Sequence, residues 1–305
     1  MGFRPYPESK RVHGRLPIEV SLSREYSFRC RPYHGFAGDI EVTNPDIQKY
    51  LFDLHGYLVI DDVLTADEVT ELNRLIDESG HTSTEEVSGT LPGGGAGEEG
   101  AGFLEWGQAF TKVLDHPKVM PVLRMVMGDG FRIDHFWGAW ANAEAKALHM
   151  HGGVVPFVQT DYYYVRDGRI RSGLTNMAWN LTDSGGELGG FMALPGSHKS
   201  NFQVPDEIRE ATEGYGIDVP EVKAGSVSIF TEALLHGTAP WRGSHQRRTL
   251  FFSMGPSHQA YSWHQAVPPT NVKLTERQRL LFSRPSAPHS FGRPTLFEPE
   301  LESGS

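Results

Sequence analysis

The chain has 305 residues, of which 38% are hydrophobic and 11% aromatic, so it can bury a sizeable core and is not disordered throughout. With 28 Lys and Arg against 38 Asp and Glu, its formal net charge is −10, which disfavours nucleic acid as a partner. The single cysteine, Cys30, leaves no internal disulfide or cysteine-based zinc site. Because no apolar run is long enough to span a membrane and residues 1–15 lack a signal-like stretch, we expect a cytoplasmic protein without a membrane partner.

The N-terminal third contains an irregular segment and a helix with a clear start. Residues 1–45, rich in Arg, Pro and Tyr, are expected to form an arm on the domain surface. An apolar run at 57–60 follows a glycine and predicts a short strand. Thr65 with Glu68 three residues later is a capping box, and the apolar spacing after it predicts an amphipathic helix over 66–78.

The next segment is glycine-rich. Residues 80–102 combine several glycines with Ser, Thr and Glu, which predicts a flexible loop. If this loop has a function, we expect it to be a mobile lid over a pocket. Pro117 and Gly128 mark the start and end of a second predicted helix.

From residue 131 onwards, short β-branched and aromatic runs alternate with turn residues. Six such runs predict strands of an all-β sandwich or barrel with the helices packed on one outer face: 131–140, 157–165, 173–181, 190–194, 226–231 and 249–254. The main domain is therefore expected to span 46–256, and the Pro-rich, polar residues 257–305 are expected to form an extension that wraps it.

Histidines near predicted strand ends are the candidate chemical groups. His149 and His151 have the i, i+2 spacing that puts two side chains on one face of a strand, just before a glycine pair. His236 lies at another strand-to-turn junction, and Arg247 follows it eleven residues later. A lone histidine at such a place is more often structural, but this set of spacings favours a metal site.

These residues, with three other segments, resemble the phytanoyl-CoA dioxygenase family of Fe(II)/2-oxoglutarate oxygenases. The segments are the opening at 52–71, the Asp-His-Pro at 115–117, and the stretch from Gly189 to Lys199 that contains Leu-Pro-Gly-Ser-His. The resemblance covers roughly residues 46–256. It implies a mainly β fold, a double-stranded β-helix (jelly-roll, cupin-like) barrel with flanking N-terminal helices.

The resemblance also implies cofactors and their ligands. Fe(2+), 2-oxoglutarate as co-substrate and O2 would meet at the barrel mouth, with iron on His151 and His236. Arg247 would bind the distal carboxylate of 2-oxoglutarate, because a guanidinium matches a carboxylate in a bidentate pair. Thr249, on the same strand face, would add a hydroxyl hydrogen bond, and Tyr163 and Trp179 are further candidates for contacts with 2-oxoglutarate from the pocket wall.

The chain departs from the family at the third iron ligand. The usual His-x-Asp or His-x-Glu is missing, since Gly153 stands two residues after His151. Three interpretations stay open at this stage. Iron could be held by a third histidine, His149; it could be held by a remote carboxylate; or the position could be vacant, as in related halogenases. The remote carboxylates to consider are Asp161, Glu187 and Glu232.

The predicted function is an oxygenase that hydroxylates an unactivated C–H bond of a small organic substrate and releases succinate and CO2. Two alternatives accompany it: a 2-oxoglutarate-dependent halogenase, from the His-x-Gly at 151–153, and a metal- or metabolite-binding barrel without oxidative chemistry. The sequence indicates neither the substrate nor the oligomeric state.

Overall fold

The computed structural model describes residues 29–30, 40–41, 44–287 and 294–297. Most of the predicted N-terminal arm therefore lies outside the described residues, apart from a short pair of strands, β1 (Arg29–Cys30) and β2 (Ile40–Glu41). Within these described ranges, no helix combines the length and the apolar character needed to cross a bilayer.

Helices surround the first part of the main domain. The predicted capping box is present: Thr65 and Glu68 form both of its hydrogen bonds, and helix α2 follows. The first helix was missed by the sequence analysis, although Asn44 as N-cap and Pro45 at the first turn are recognised start signals. The α-helices are α1 (Pro45–His55), α2 (Ala66–Ser79), α3 (Met120–Met127), α4 (Asp206–Arg209) and α5 (Glu276–Leu281).

The rest of the domain is two antiparallel sheets. The six-stranded sheet has the order β3-β11-β9-β13-β5-β4 and the three-stranded sheet the order β10-β12-β6, while β7 and β8 form a separate hairpin. The strands are β3 (Tyr57–Ile60), β4 (Ser88–Gly94), β5 (Phe131–Ala141), β6 (Leu148–His151), β7 (Tyr163–Arg166), β8 (Arg169–Ser172), β9 (Thr175–Asn180), β10 (Gly190–Ala193), β11 (Val227–Thr231), β12 (His236–Ala239) and β13 (Arg247–Pro256). This is the predicted mainly β, jelly-roll architecture.

The two faces of the large sheet differ in character because side chains alternate along each strand. On β13, Leu250, Phe252 and Met254 are fully buried in the main core on the helix side. Arg247 and Phe251, on the other face, line a cavity between the sheets. The alternation on one strand therefore separates the core from the candidate site.

The prediction of a flexible loop over 80–102 is wrong. Within it, β4 pairs with β5 at the edge of the large sheet. A Cβ built at Gly93 would lie 1.7 Å from the carbonyl oxygen of Phe136, so only glycine permits this approach. The glycines that suggested flexibility instead allow close contact between two strands.

The predicted strand at 157–165 is also wrong in position, because only Tyr163–Arg166 is a strand, β7. Phe157 is 74% exposed and Val158 41% exposed, so β-type composition there does not correspond to pairing. The other five predicted strands are confirmed as β5, β9, β10, β11 and β13. Beyond residue 256, Leu281 and Phe282 are buried in the main core, so the C-terminal segment contributes to packing as well as covering the domain.

Candidate active site

The small sheet brings two predicted ligands together. His151 ends β6 and His236 begins β12, and the two residues are directly paired across the strands. Their ring centroids are 4.3 Å apart. His236 Nδ1 lies 2.7 Å from the carbonyl oxygen of Leu234, so this nitrogen donates a hydrogen bond and Nε2 is left as the ligand atom.

A carboxylate completes the cluster. Glu232 lies in the turn between β11 and β12, and its Oε2 is 3.9 Å from His236 Nε2. Ligand atoms of His151, Glu232 and His236 all lie within 4.8 Å of one another. The sequence names Glu232 only as one of three remote carboxylates; in the fold it lies four residues before His236, in the turn between β11 and β12, next to both histidines.

A chain of buried hydrogen bonds fixes this carboxylate. Asn176 Nδ2 donates to Glu232 Oε2 at 2.6 Å, and Ser253 Oγ donates to Asn176 Oδ1 at 2.6 Å. Asn176 and Ser253 are register partners on β9 and β13. The sequence analysis missed both; their signal was an inward-facing polar residue in an otherwise apolar strand.

The cluster fits a divalent transition metal. Burial lowers the pKa of His151, and the neighbouring His236 lowers it further, which favours the neutral ring that a metal requires. Two imidazoles and one carboxylate are the donor set that non-haem Fe(II) sites use while leaving coordination positions open.

Arg247 lies in the same cavity. It is 7% exposed, and its Nε has no hydrogen-bond partner among the described residues. Burial lowers its pKa to about 10. A Cβ built at Gly190 would approach Nε to 3.4 Å, so the glycine leaves room beside the guanidinium. A buried cation without an acid partner fits an anionic ligand such as the distal carboxylate of 2-oxoglutarate.

Thr249 follows Arg247 on the same face of β13. Its hydroxyl is buried and has no hydrogen-bond partner in the described part of the chain, which suits a second contact with a ligand. Thr249 is not among the residues that line the open cavity.

The remaining candidate ligands are not brought into the cluster. His149 is exposed, although it is one strand step from His151. Glu187 is exposed and lines a different surface cleft. Asp161 is near enough to Glu232 to interact with it electrostatically. Burial raises the pKa of Asp161, and the charge of Glu232 adds to the rise.

Two predicted pocket-wall residues lie elsewhere. Trp179 is fully buried in the main core, on the face of β9 opposite to Asn176. Tyr163 donates from its hydroxyl to Asp53 at 2.8 Å, next to α1. The position of each side chain depends on which face of its strand it lies on, and the sequence alone does not show that face.

The cavity has a volume of about 360 Å3. Its wall near His236 is formed by Phe191 and Phe230, and its β5 side by His135, Trp137 and Phe251, whose ring stacks on Trp137. His135, which the sequence analysis did not consider, shares the i, i+2 spacing with Trp137 on a predicted strand, and that pattern could have placed it on the inner face.

A jelly roll that gathers two imidazoles, a carboxylate and an unpaired arginine in one cavity defines the class of non-haem oxygenases that use 2-oxoglutarate. A model of the phytanoyl-CoA dioxygenase (PhyH) family matches residues 52–249. The chain belongs to this family of Fe(II)/2-oxoglutarate-dependent dioxygenases. The predicted enzyme class and cofactors, Fe(2+), 2-oxoglutarate and O2, are confirmed, and the alternative of a barrel without oxidative chemistry is removed.

Curated relatives include two ectoine dioxygenases. That of Sphingopyxis alaskensis is 23% identical over 217 residues, which cover 63% of this chain and 69% of the relative. That of Stutzerimonas stutzeri is 24% identical over 233 residues, covering 66% and 73%.

Solved structures with the same fold include HygX from Streptomyces hygroscopicus. With nickel and 2-oxoglutarate bound, it superposes with a TM-score of 0.62 at 20% identity, covering 74% of this chain and 92% of HygX. The HygX structure that also contains hygromycin B gives a TM-score of 0.61 at 21% identity, covering 74% and 93%. These likenesses confirm the jelly-roll fold.

Proposed function

We propose that this dioxygenase hydroxylates a C–H bond of a small organic substrate at an iron held by His151, Glu232 and His236. The observation that carries the proposal is the presence, in one cavity, of this three-ligand cluster and the unpaired guanidinium of Arg247. The first supplies a metal position with open coordination sites, and the second supplies an anchor for the co-substrate.

The protein's own groups hold the metal in place before any substrate arrives. The carbonyl of Leu234 fixes the ring orientation and tautomer of His236. Asn176 fixes the Glu232 carboxylate from the opposite side. In this assignment Glu232 takes the role that an acidic residue at position 153 has in the usual family motif.

Arg247 binds and orients 2-oxoglutarate. Its guanidinium would form a bidentate pair with the distal carboxylate, and the Thr249 hydroxyl would donate to the same group. Phe191, Phe230 and Phe251 keep the reacting region apolar, which limits access of water. The bound iron and 2-oxoglutarate would supply O2 activation, with conversion of 2-oxoglutarate to succinate and CO2 and insertion of one oxygen atom into the substrate.

The relatives support a small-molecule substrate. Two are named for ectoine, and HygX has been solved with hygromycin B in place. The cavity volume of about 360 Å3 is in keeping with a compact substrate beside the co-substrate.

Halogenation, the second candidate at the sequence level, requires a metal position free for halide. The carboxylate of Glu232 beside His236 favours hydroxylation instead, because it can occupy the position that Gly153 leaves without a ligand.

The test measures succinate production with Fe(II), 2-oxoglutarate and O2, omitting each in turn. We expect succinate only when all three are present, and a His236→Ala variant without measurable activity. Products from active substrates should gain one oxygen atom by mass spectrometry, with and without added chloride. Succinate formation independent of iron would contradict the oxygenase proposal, and a chlorinated product would replace hydroxylation by halogenation.

A further inference from the structure

Among the polar side chains that line the cavity, one that is also held from behind by a buried carboxylate has no role in binding the metal or the co-substrate. This is His135 on β5, whose ring lines the cavity next to Trp137 and Tyr261. The ring stacks on Trp137 with centroids 5.4 Å apart and planes at 15°, and it contacts Tyr261 at 5.7 Å.

The orientation of His135 is fixed from behind by a buried carboxylate. Its Nδ1 lies 3.1 Å from Asp134 Oδ1 and 3.2 Å from Ser262 Oγ. Asp134 is 1% exposed and also accepts hydrogen bonds from the backbone N–H groups of Tyr261 and Ser262 and from Arg132 Nη1. Two segments, β5 and the chain after β13, therefore build this support together.

The charge of Asp134 decides which nitrogen of His135 is free. Burial by itself would raise the pKa of Asp134, but the hydrogen bonds from His135, Ser262 and Tyr261 outweigh burial and hold the pKa below its ordinary value. An ionised carboxylate only accepts, so Nδ1 of His135 must carry the hydrogen. Nε2 has no hydrogen-bond partner in the described part of the chain and, in the neutral ring, is an acceptor on the cavity side.

The charges of the cavity limit what can bind there. Arg247 is the one Lys or Arg among the described side chains that line it, and 2-oxoglutarate would occupy that guanidinium. A phosphate beside His135 would then have no Lys or Arg of the lining to pair with, and its burial would be unfavourable. An uncharged group meets no such penalty, and the desolvation cost of a cationic group is offset in part by attraction to the aromatic faces.

We propose that the substrate donates a hydrogen bond from a hydroxyl or ammonium group to Nε2 of His135, with its adjacent non-polar part against the aromatic wall that Trp137 and the Phe251 ring stacked on it form. This inference rests on the proposed hydroxylase function and narrows its substrate class to compact alcohols or amines without phosphate in the cavity. His135 acts here as a positioning and specificity residue, because a fixed acceptor discriminates against a substrate that lacks the donor.

The test compares matched compounds with the loaded wild-type enzyme. A library of cyclic and branched alcohols and amines is assayed beside the O-methyl or N-acetyl derivative of each, and beside acyl-CoA thioesters, by substrate-stimulated succinate production. We expect donor-bearing members to be favoured over their capped partners by roughly ten- to a hundredfold in kcat/KM, the range for a buried polar group left unpaired. A library in which donor-bearing members stimulate no more than capped ones or thioesters overturns the inference.

Variants of His135 test whether this residue causes the discrimination between donor-bearing and capped substrates. His135→Phe should bring the ratio between donor-bearing and capped substrates close to one, whereas His135→Gln, which can place an amide oxygen near the position of Nε2, should restore part of it. The control is His81→Phe, an exposed histidine that also packs on an indole, with its ring centroid 5.1 Å from that of Trp106, but does not line the cavity. A ratio unchanged in His135→Phe contradicts the proposal.

The tautomer can be measured without any substrate. With histidine labelled by 15N and Zn(II) in place of iron, the His135 signals, assigned by comparison with His135→Phe, should show a proton on Nδ1 and none on Nε2. A neutral ring protonated on Nε2 would overturn the acceptor role. If wild-type enzyme forms no succinate with iron and 2-oxoglutarate, the proposed function fails; if it forms succinate without substrate discrimination, only this inference fails.

Discussion

Glu232 Oε2 lies 3.9 Å from His236 Nε2, although the carboxylate precedes this histidine by four residues instead of following the other histidine by two. The turn between β11 and β12 produces this arrangement, since it leaves both side chains at the same end of the cavity. In the proposed assignment the carboxylate and the distal histidine thus come from one turn, and the strand that ends at His151 supplies a single candidate ligand.

If Glu232 is the third ligand, its replacement by Gln should weaken metal binding strongly. The amide is isosteric but carries no charge, so we expect the affinity for Co(II) to fall by more than the roughly 10–100-fold that loss of an outer hydrogen bond costs. Isothermal titration with Co(II), together with the visible spectrum of the bound ion, measures this. Glu187→Gln, at an exposed residue outside the cavity, is the matched control; equal affinity in the two variants would exclude Glu232 as a ligand.

The hydrogen bond from Asn176 to Glu232 should increase metal affinity, although Asn176 itself is not a metal ligand. Asn176→Leu leaves the half-buried carboxylate without this donor, so we expect Co(II) affinity to fall by roughly 10–100-fold. Ser253→Ala, one bond further away, should have a smaller effect in the same direction. The measurement is the same titration, in protein whose folding is verified by circular dichroism.

A suitable control removes a buried hydrogen bond at the other end of β11. Ser226 Oγ donates to Asp61 Oδ1 at 3.0 Å, far from the ligand cluster along the strand. Ser226→Ala should therefore lower stability while leaving Co(II) affinity at the wild-type value. If Ser226→Ala and Asn176→Leu weaken metal binding equally, Asn176 acts through general stability and not through Glu232.

Arg247 should matter for the co-substrate and not for folding. In Arg247→Met, a buried cation with no acid partner among the described residues is replaced by an apolar side chain, so the protein without 2-oxoglutarate should be no less stable than wild type. Its affinity for 2-oxoglutarate should fall by about 2–5 kcal/mol, the range for truncating one partner of a buried charge pair. Thermal unfolding of the Zn(II)-loaded protein with and without 2-oxoglutarate measures both effects.

The neighbouring arginine provides the control. Arg248 points away from the cavity and bonds Gln246 and Asp77 beside α2. Arg248→Met should therefore keep the full upward shift in unfolding temperature that 2-oxoglutarate produces. If Arg247→Met retains that shift as well, the anchor for the co-substrate lies elsewhere.

Local signals in the sequence predicted the strands and the candidate histidines, and the resemblance to the family added the jelly roll and the proposed role of Arg247. Strand runs alternate by residue type, and the spacing from His236 to Arg247 lies within one turn and one strand. What it could not choose was the third ligand, since Glu232 reaches His151 only through the pairing of β6 with β12. The register of strands distant in sequence is set by tertiary packing.

The errors have the same origin. The glycines of β4 were interpreted as flexible because glycine permits both mobility and close backbone contact, and only the partner strand distinguishes the two. Trp179 and Asn176 lie three residues apart on β9 and on opposite faces, so the identity of the inward residue depended on a register that composition does not contain.

His198 should make the fold sensitive to acid. It is fully buried beside Gly56, its Nε2 bonds the carbonyl oxygen of Asp53 at 3.0 Å, and Nδ1 has no partner among the described residues. Burial lowers its pKa to about 4, compared with 6.5 for the unperturbed side chain. Between these two values the unfolded chain binds the proton and the folded chain does not, so stability falls as the pH drops from 6.5 towards 4.

The full loss attributable to this residue is about 3 kcal/mol, from the difference between the two pKa values. His198→Gln keeps a donor for the Asp53 carbonyl but cannot titrate, so its free energy of unfolding should decline less steeply over the same pH range. Urea unfolding at a series of pH values measures the difference, and every other titrating group is common to both proteins. His81→Gln, at an exposed position, should follow the wild-type curve. Parallel curves for wild type and His198→Gln would show that the buried ring is not the acid-sensitive group.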